Sequence, residues 1–169
     1  MYFGLSEDQI FFQDNVKKFL EDQLTLDTVK KITEDEDDLV KEELHKGLIN
    51  LGINNILIPE EYGGLGLDLL FATAVSQSLG EGVATLPFLG PYIVAPTAIK
   101  YGASDNQKEK LFADMCENLI NFGIGFSEYF GSRDSSGLNI SDNKVTGKTL
   151  FVLDADFASH VMIADNKGR

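Results

Sequence analysis

The sequence predicts an α+β fold in which an all-helical domain, residues 1–119, comes first and a strand-forming domain, residues 120–169, follows. Two observations carry this. Apolar residues recur at helical spacing, punctuated by caps, as far as Glu117. From Asn121 the pattern turns to short β-branched or alternating runs between Gly, Asn, Asp and Ser.

The helices follow in order. Ser6-Glu7-Asp8-Gln9 is a capping box, the hydroxyl placed to accept from a first-turn amide and Gln9 to reach back. It opens a helix to about Gln23, with Ile10, Phe11, Val16, Phe19 and Leu20 as the expected buried stripe. A second helix is predicted over Leu26 to Ile32. The run Glu34-Asp35-Glu36-Asp37-Asp38 reads as a solvated loop entering the next helix N-terminus, where negative charge is favourable, in preference to a metal or partner site. That helix, about Leu39 to Leu51, carries His45. A histidine among Lys and Glu is expected to face solvent, and no nucleophile or carboxylate lies at a spacing that would make it catalytic.

Ile58-Pro59-Glu60-Glu61-Tyr62-Gly63-Gly64-Leu65-Gly66-Leu67 is a tightly specified turn, since proline sets φ and glycine permits φ > 0 and close backbone approach. Asp68 then caps a helix to about Leu79, closed by Gly80 to Gly82. Leu86 to Pro91 reads as an apolar loop. Tyr92 to Tyr101 and Ser104 to Glu117 read as helices, with Asp105 favourable at the start of the second. Strands are predicted over Phe122 to Ser127, Leu138 to Ser141, Lys144 to Leu153 and His160 to Ala164, with Asp142-Asn143 as a tight turn.

Composition narrows the function classes. The 169 residues suit one domain or one and a half, and a 43% apolar fraction with 12 Phe supplies a core. A net charge of −13 argues against nucleic-acid binding, which requires clustered cations. The apolar runs fall short of the roughly 20 residues that cross a bilayer, so no membrane span is expected. No basic, hydrophobic signal precedes Ser6. Cys116 is the single cysteine, which fits a reducing compartment, and a cytoplasmic protein is expected. With apolar and acidic neighbours it reads as a buried structural thiol.

The Ile58–Leu67 string resembles a signature between the early helices of the acyl-CoA dehydrogenase family. Three further segments are similar to that family. Tyr101-Gly102-Ala103-Ser104-Asp105-Asn106-Gln107-Lys108-Glu109-Lys110 matches its Ser/Thr-capped helix with a Gln-Lys pair. Phe126-Ser127-Glu128 with Gly131, Asp134 and Gly137 resembles its flavin-facing T-E-P-x-x-G-S-D segment. Gly147-Lys148-Thr149-Leu150-Phe151 resembles the G-x-K-x-[WF] strand, and Ala155-Asp156-Phe157 follows. The resemblance spans Leu5 to Ala164.

It implies that the strands begin a β-barrel domain and that the cofactor is FAD. It implies an acyl-CoA substrate, electron-transfer flavoprotein as acceptor of electrons, and a homo- or hetero-oligomer. Among cofactor-binding residues, Phe126 and Ser127 lie in the flavin-facing strand. Ser127 keeps the hydroxyl that the family's Thr offers the flavin, and Phe151 stands where Trp or Phe packs on the ring. Leu153 falls where a Thr often bonds near flavin N5; Tyr129 and Arg133 replace the motif's proline and serine. On the substrate side, Arg133 reads either as a cation for CoA or FAD phosphates or as an exposed loop arginine. Phe88 and Tyr92, with Pro91, read either as acyl-pocket lining or as core. No catalytic residue is assigned, because the family's glutamate base belongs to a C-terminal helical bundle. The chain is therefore expected to be a truncated acyl-CoA dehydrogenase, inactive in isolation. The alternative is a non-catalytic subunit that pairs with an active homologue.

Overall fold

A computed structural model of the chain describes residues 4–34, 38–126, 137–142 and 144–164. Among them, helices α1 (Glu7–Gln23), α2 (Leu26–Glu34), α3 (Asp38–Asn50), α4 (Leu69–Glu81), α5 (Ala95–Gly102) and α6 (Asp105–Cys116) precede β1 (Phe122–Gly125), β2 (Gly137–Ser141), β3 (Lys144–Lys148) and β4 (His160–Ile163). Helix gives way to strand between Cys116 and Phe122, as expected. The chain divides into two compact units, Met1–Phe88 and Leu89–Arg169.

In the first unit the capping box forms: the Gln9 amide donates to Ser6 Oγ at 3.2 Å and the Ser6 amide to Gln9 Oε1 at 2.8 Å. The inward face of α1 differs from the expected one. Gln9, Gln13, Val16 and Leu20 are buried, whereas Ile10 is exposed and Phe11 is 69% exposed. The reason is that α1 meets α4 through a polar contact. Gln13 Nε2 donates to the Ala74 carbonyl at 3.1 Å, which turns the Gln9, Gln13, Val16, Leu20 line inward and Phe11 away. Phe12 meets Phe71 edge-on at 6.2 Å, and Lys17 pairs with Glu81 at 3.0 Å. His45 also departs from expectation. It is buried in line with Leu44 and Leu48, and burial lowers its pKa below the ordinary 6.5.

The Ile58–Leu67 turn is a backbone clasp. After Pro59 a 3₁₀ turn, Glu60–Tyr62, ends at Gly63 with φ 89°. The chain then doubles back, the amides of Leu65, Gly66 and Leu67 donating to the carbonyls of Asn55 (2.9 Å), Ile58 (2.8 Å) and Ile56 (2.8 Å). Ile53, Ile56 and Ile58 are buried beneath it, and Asp68 leaves the clasp to cap α4, accepting from the amides of Leu70 (3.0 Å) and Phe71 (3.1 Å).

In the second unit, Leu89–Val94 forms a wide π-helical stretch leading into α5, where the sequence reading placed the end of a loop. α6 starts as predicted, the Ser104 amide donating to Gln107 Oε1 at 3.0 Å. β1 pairs in parallel with β4, Phe122 opposite His160 and Gly125 opposite Ile163. β2 and β3 form an antiparallel hairpin closing at Ser141 opposite Lys144, with Asp142 at φ 50°. The predicted strand Lys144 to Leu153 ends at Lys148, and Phe151, inside the predicted range, adopts a left-handed φ of 55° that interrupts the extended run. Cys116 is half-buried, and its thiol pKa is raised by that burial and by Glu117.

Candidate functional site

The sequence of β1, Phe-Gly-Ile-Gly, alternates large and absent side chains, and this alternation builds the site. One face of the strand is bare at Gly123 and Gly125, so another segment can lie directly on its backbone. A Cβ on Gly123 would come within 3.1 Å of the Leu153 carbonyl and 3.2 Å of Val152; one on Gly125 would come within 3.1 Å of Thr149 Oγ1. The segment after β3 occupies that space. Leu153 exchanges both backbone bonds with Ile124, its amide donating at 2.9 Å and its carbonyl accepting at 3.0 Å.

Held there, the segment alternates. Val152 is half-buried, while Phe151 is 71% and Leu153 is 47% exposed. A phenyl ring with a left-handed backbone and such exposure is a local exception, and such exceptions concentrate at functional positions. Both candidate flavin residues of this segment thus reach the surface of the second unit. Phe126, at the end of β1, is half-buried. Ser127 and Arg133 lie outside the described residues. Phe88 is buried in the first unit and Tyr92, 3% exposed, in the second.

A contact that sequence reasoning missed lies directly beyond Leu153. Asp154 Oδ2 accepts the Gly90 amide at 3.1 Å, across 64 residues of chain. Desolvation pushes the Asp154 carboxyl up, and the Gly90 amide opposes part of that shift. Burial and the nearby Asp154 charge push the Tyr92 phenol well above its ordinary range, so the ring is neutral and packed. The sequence signal for this pair was weak: a glycine inside an apolar run and an aspartate in a turn. Nothing in their spacing connects them.

Among the described residues, no group of three or more His, Cys, Asp or Glu could hold a metal ion. Among the same residues, no helix is long and apolar enough to cross a membrane.

Residues 6–118 match the family model described as acyl-CoA dehydrogenase, N-terminal domain. The chain belongs to the acyl-CoA dehydrogenase family. It is 29% identical over 112 residues to acyl-CoA dehydrogenase FadE26 of Mycobacterium tuberculosis, a match covering 63% of this chain and 28% of that protein. Its fold is shared by solved structures, among them the following two. The FAD complex of PigA superposes with a TM-score of 0.75 at 18% identity, covering 96% of this chain and 44% of the other. The ChsE4-ChsE5 complex of Mycobacterium tuberculosis superposes with a TM-score of 0.71 at 20% identity, covering 98% and 44%. The chain spans under a third of that curated relative and under half of these solved chains.

Proposed function

We propose that this chain supplies the helical domain and the flavin-facing strands of an FAD-dependent acyl-CoA dehydrogenase acting in the cytoplasm, with electron-transfer flavoprotein as its redox partner. The observation that carries the reading is the exposed pair Phe151 and Leu153, presented from a segment bonded at Leu153 to the main chain of β1. FAD, when bound, accepts the hydride lost from the acyl chain. Phe151 offers the isoalloxazine a flat apolar ring to pack against, a contact worth about 0.5–1.5 kcal/mol beyond area burial. Leu153 excludes water from the same edge. Its amide and carbonyl are engaged with Ile124, so this residue supplies van der Waals contact and no hydrogen bond to the ring. By the family resemblance, Phe126 and Ser127 are further candidate cofactor-binding positions in this reading, and Arg133, Phe88 and Tyr92 candidate substrate-binding positions.

The test is FAD titration of the chain by flavin fluorescence. Saturable binding weakened severalfold by Phe151→Ala is the expected result; no binding, or binding indifferent to Phe151, overturns the reading.

Two observations favour a second reading, a non-catalytic subunit paired with an active homologue. By the family resemblance Leu153 falls where a Thr often bonds near flavin N5, and among the solved structures of similar fold is the ChsE4-ChsE5 complex. Co-expression with an intact family member, followed by isolation of a stable hetero-oligomer with FAD only in the other subunit, would establish it.

A further inference from the structure

We propose that Asp154 is a positioning residue for the Phe151–Leu153 face: by accepting the Gly90 amide it ties the turn after Leu153 to residues 89–94 and sets the orientation in which that face meets a flat ring ligand. The inference rests on the flavin reading above for the identity of the ring.

Three observations converge on Asp154. It follows Leu153 directly and sits at φ 56°, ψ 30°, a left-handed conformation that aspartate tolerates better than most residues. From there its carboxylate reaches the Gly90 amide at 3.1 Å. The glycine is matched to it: a Cβ at position 90 would lie 2.6 Å from Asp154 Oδ2, inside contact distance. The short stretch that displays Phe151 and Leu153 is thus pinned at two successive residues, Leu153 to β1 and Asp154 to the π-helical stretch. Removing the second tie leaves Leu153 paired but lets the turn after it pivot. A shift of an ångström in a ring-packing surface is enough to degrade a positioned reaction.

The tie needs an acceptor, not a charge. An asparagine oxygen fills the same role, and half-burial of the Asp154 carboxylate, which raises its pKa, makes the charge itself a cost. The conservative variant is therefore expected to rescue.

The experiment uses the 169-residue chain and two variants. Asp154→Gly keeps the left-handed backbone without strain and deletes the acceptor; Asp154→Asn keeps the acceptor. Amide hydrogen exchange is expected to accelerate about tenfold or more over residues 89–94 and 150–158 in Asp154→Gly, with α1 unchanged and Asp154→Asn like the original. FAD dissociation constants, read by fluorescence, are expected to rise about threefold to tenfold in Asp154→Gly and to be restored in Asp154→Asn. Exchange unaltered by Asp154→Gly overturns the proposal. So does exchange that rises equally in α1, or an Asp154→Gly chain that fails to fold, because the residue then acts on the fold as a whole. FAD affinity that ignores Asp154→Gly while falling in Phe151→Ala also overturns it. Failure of the flavin reading looks different: the unaltered chain binds no FAD, yet the local exchange pattern appears, which supports the tie and removes only the ring.

Discussion

Gly64 lies so close to the carbonyl of Ile58 that a Cβ in its place would collide with that backbone oxygen. The atom on the other side of the collision is backbone, held by the Gly66 amide at 2.8 Å, and cannot swing away as a side chain would. Gly64→Ala is therefore expected to destabilise the first unit by about 3 kcal/mol, the upper range of over-packing. A urea midpoint within error of the original chain would show that the clasp relaxes more readily than its bonding suggests.

Asp68 accepts two first-turn amides of α4, from Leu70 and Phe71. Asp68→Ala should cost about 1 kcal/mol, and Asp68→Ser should recover most of it. Because the cap is exposed, the loss should appear in equilibrium unfolding without a change in the slope against denaturant.

His45 gives the first unit a pH dependence of definite sign. Burial holds its folded pKa below 6.5, so the unfolded chain binds a proton that the folded one resists. The stabilisation is present above about pH 6.5 and is lost as pH falls below it toward the folded value. The denaturation midpoint should drop between about pH 7.5 and about pH 5.5, and His45→Gln should flatten that drop. Asp154, with its carboxyl pKa raised, contributes in the opposite direction, losing stability as pH rises through its folded value. The comparison is cleanest in an Asp154→Asn background.

At the candidate flavin face, Leu153→Thr introduces a hydroxyl where the family usually carries one. A gained hydrogen bond is worth about 0.5–1.5 kcal/mol, so FAD should bind about twofold to tenfold more tightly. Unchanged affinity, with Phe151→Ala also silent, would show that the segment does not face a flavin.

What could be read in advance was whatever is decided within a few residues. Ser6 with Gln9, Asp68 and the glycines of Ile58–Leu67 act on their immediate neighbours, and the helix starts they mark are where they were expected. Strand existence was equally local, and Phe122, Leu138, Lys144 and His160 each fall in a strand. The inward face of α1 was misread because two glutamines serve as core residues, one of them bonded to α4 sixty-one positions away. His45 was misread for a related reason, since the polarity of its neighbours says little about which side of the helix a second helix covers. The break in the predicted strand was missed because Phe151 takes a left-handed backbone without glycine to announce it. Of the site, Phe151 and Leu153 do come to one exposed stretch, whereas the tie from Gly90 to Asp154 is purely tertiary.

β1 touches the segment that carries Phe151 and Leu153 through main-chain atoms, with hydrogens alone at Gly123 and Gly125 facing it. Such a platform is indifferent to the identity of what it displays. Substitution at position 153 leaves the platform intact, because the bonds that hold the segment there come from peptide groups common to all residues. Positions 123 and 125 have no such latitude. The chain thus separates a support made of peptide groups from the side chain displayed on it, so an exchange at position 153 keeps the two bonds that join the segment to β1.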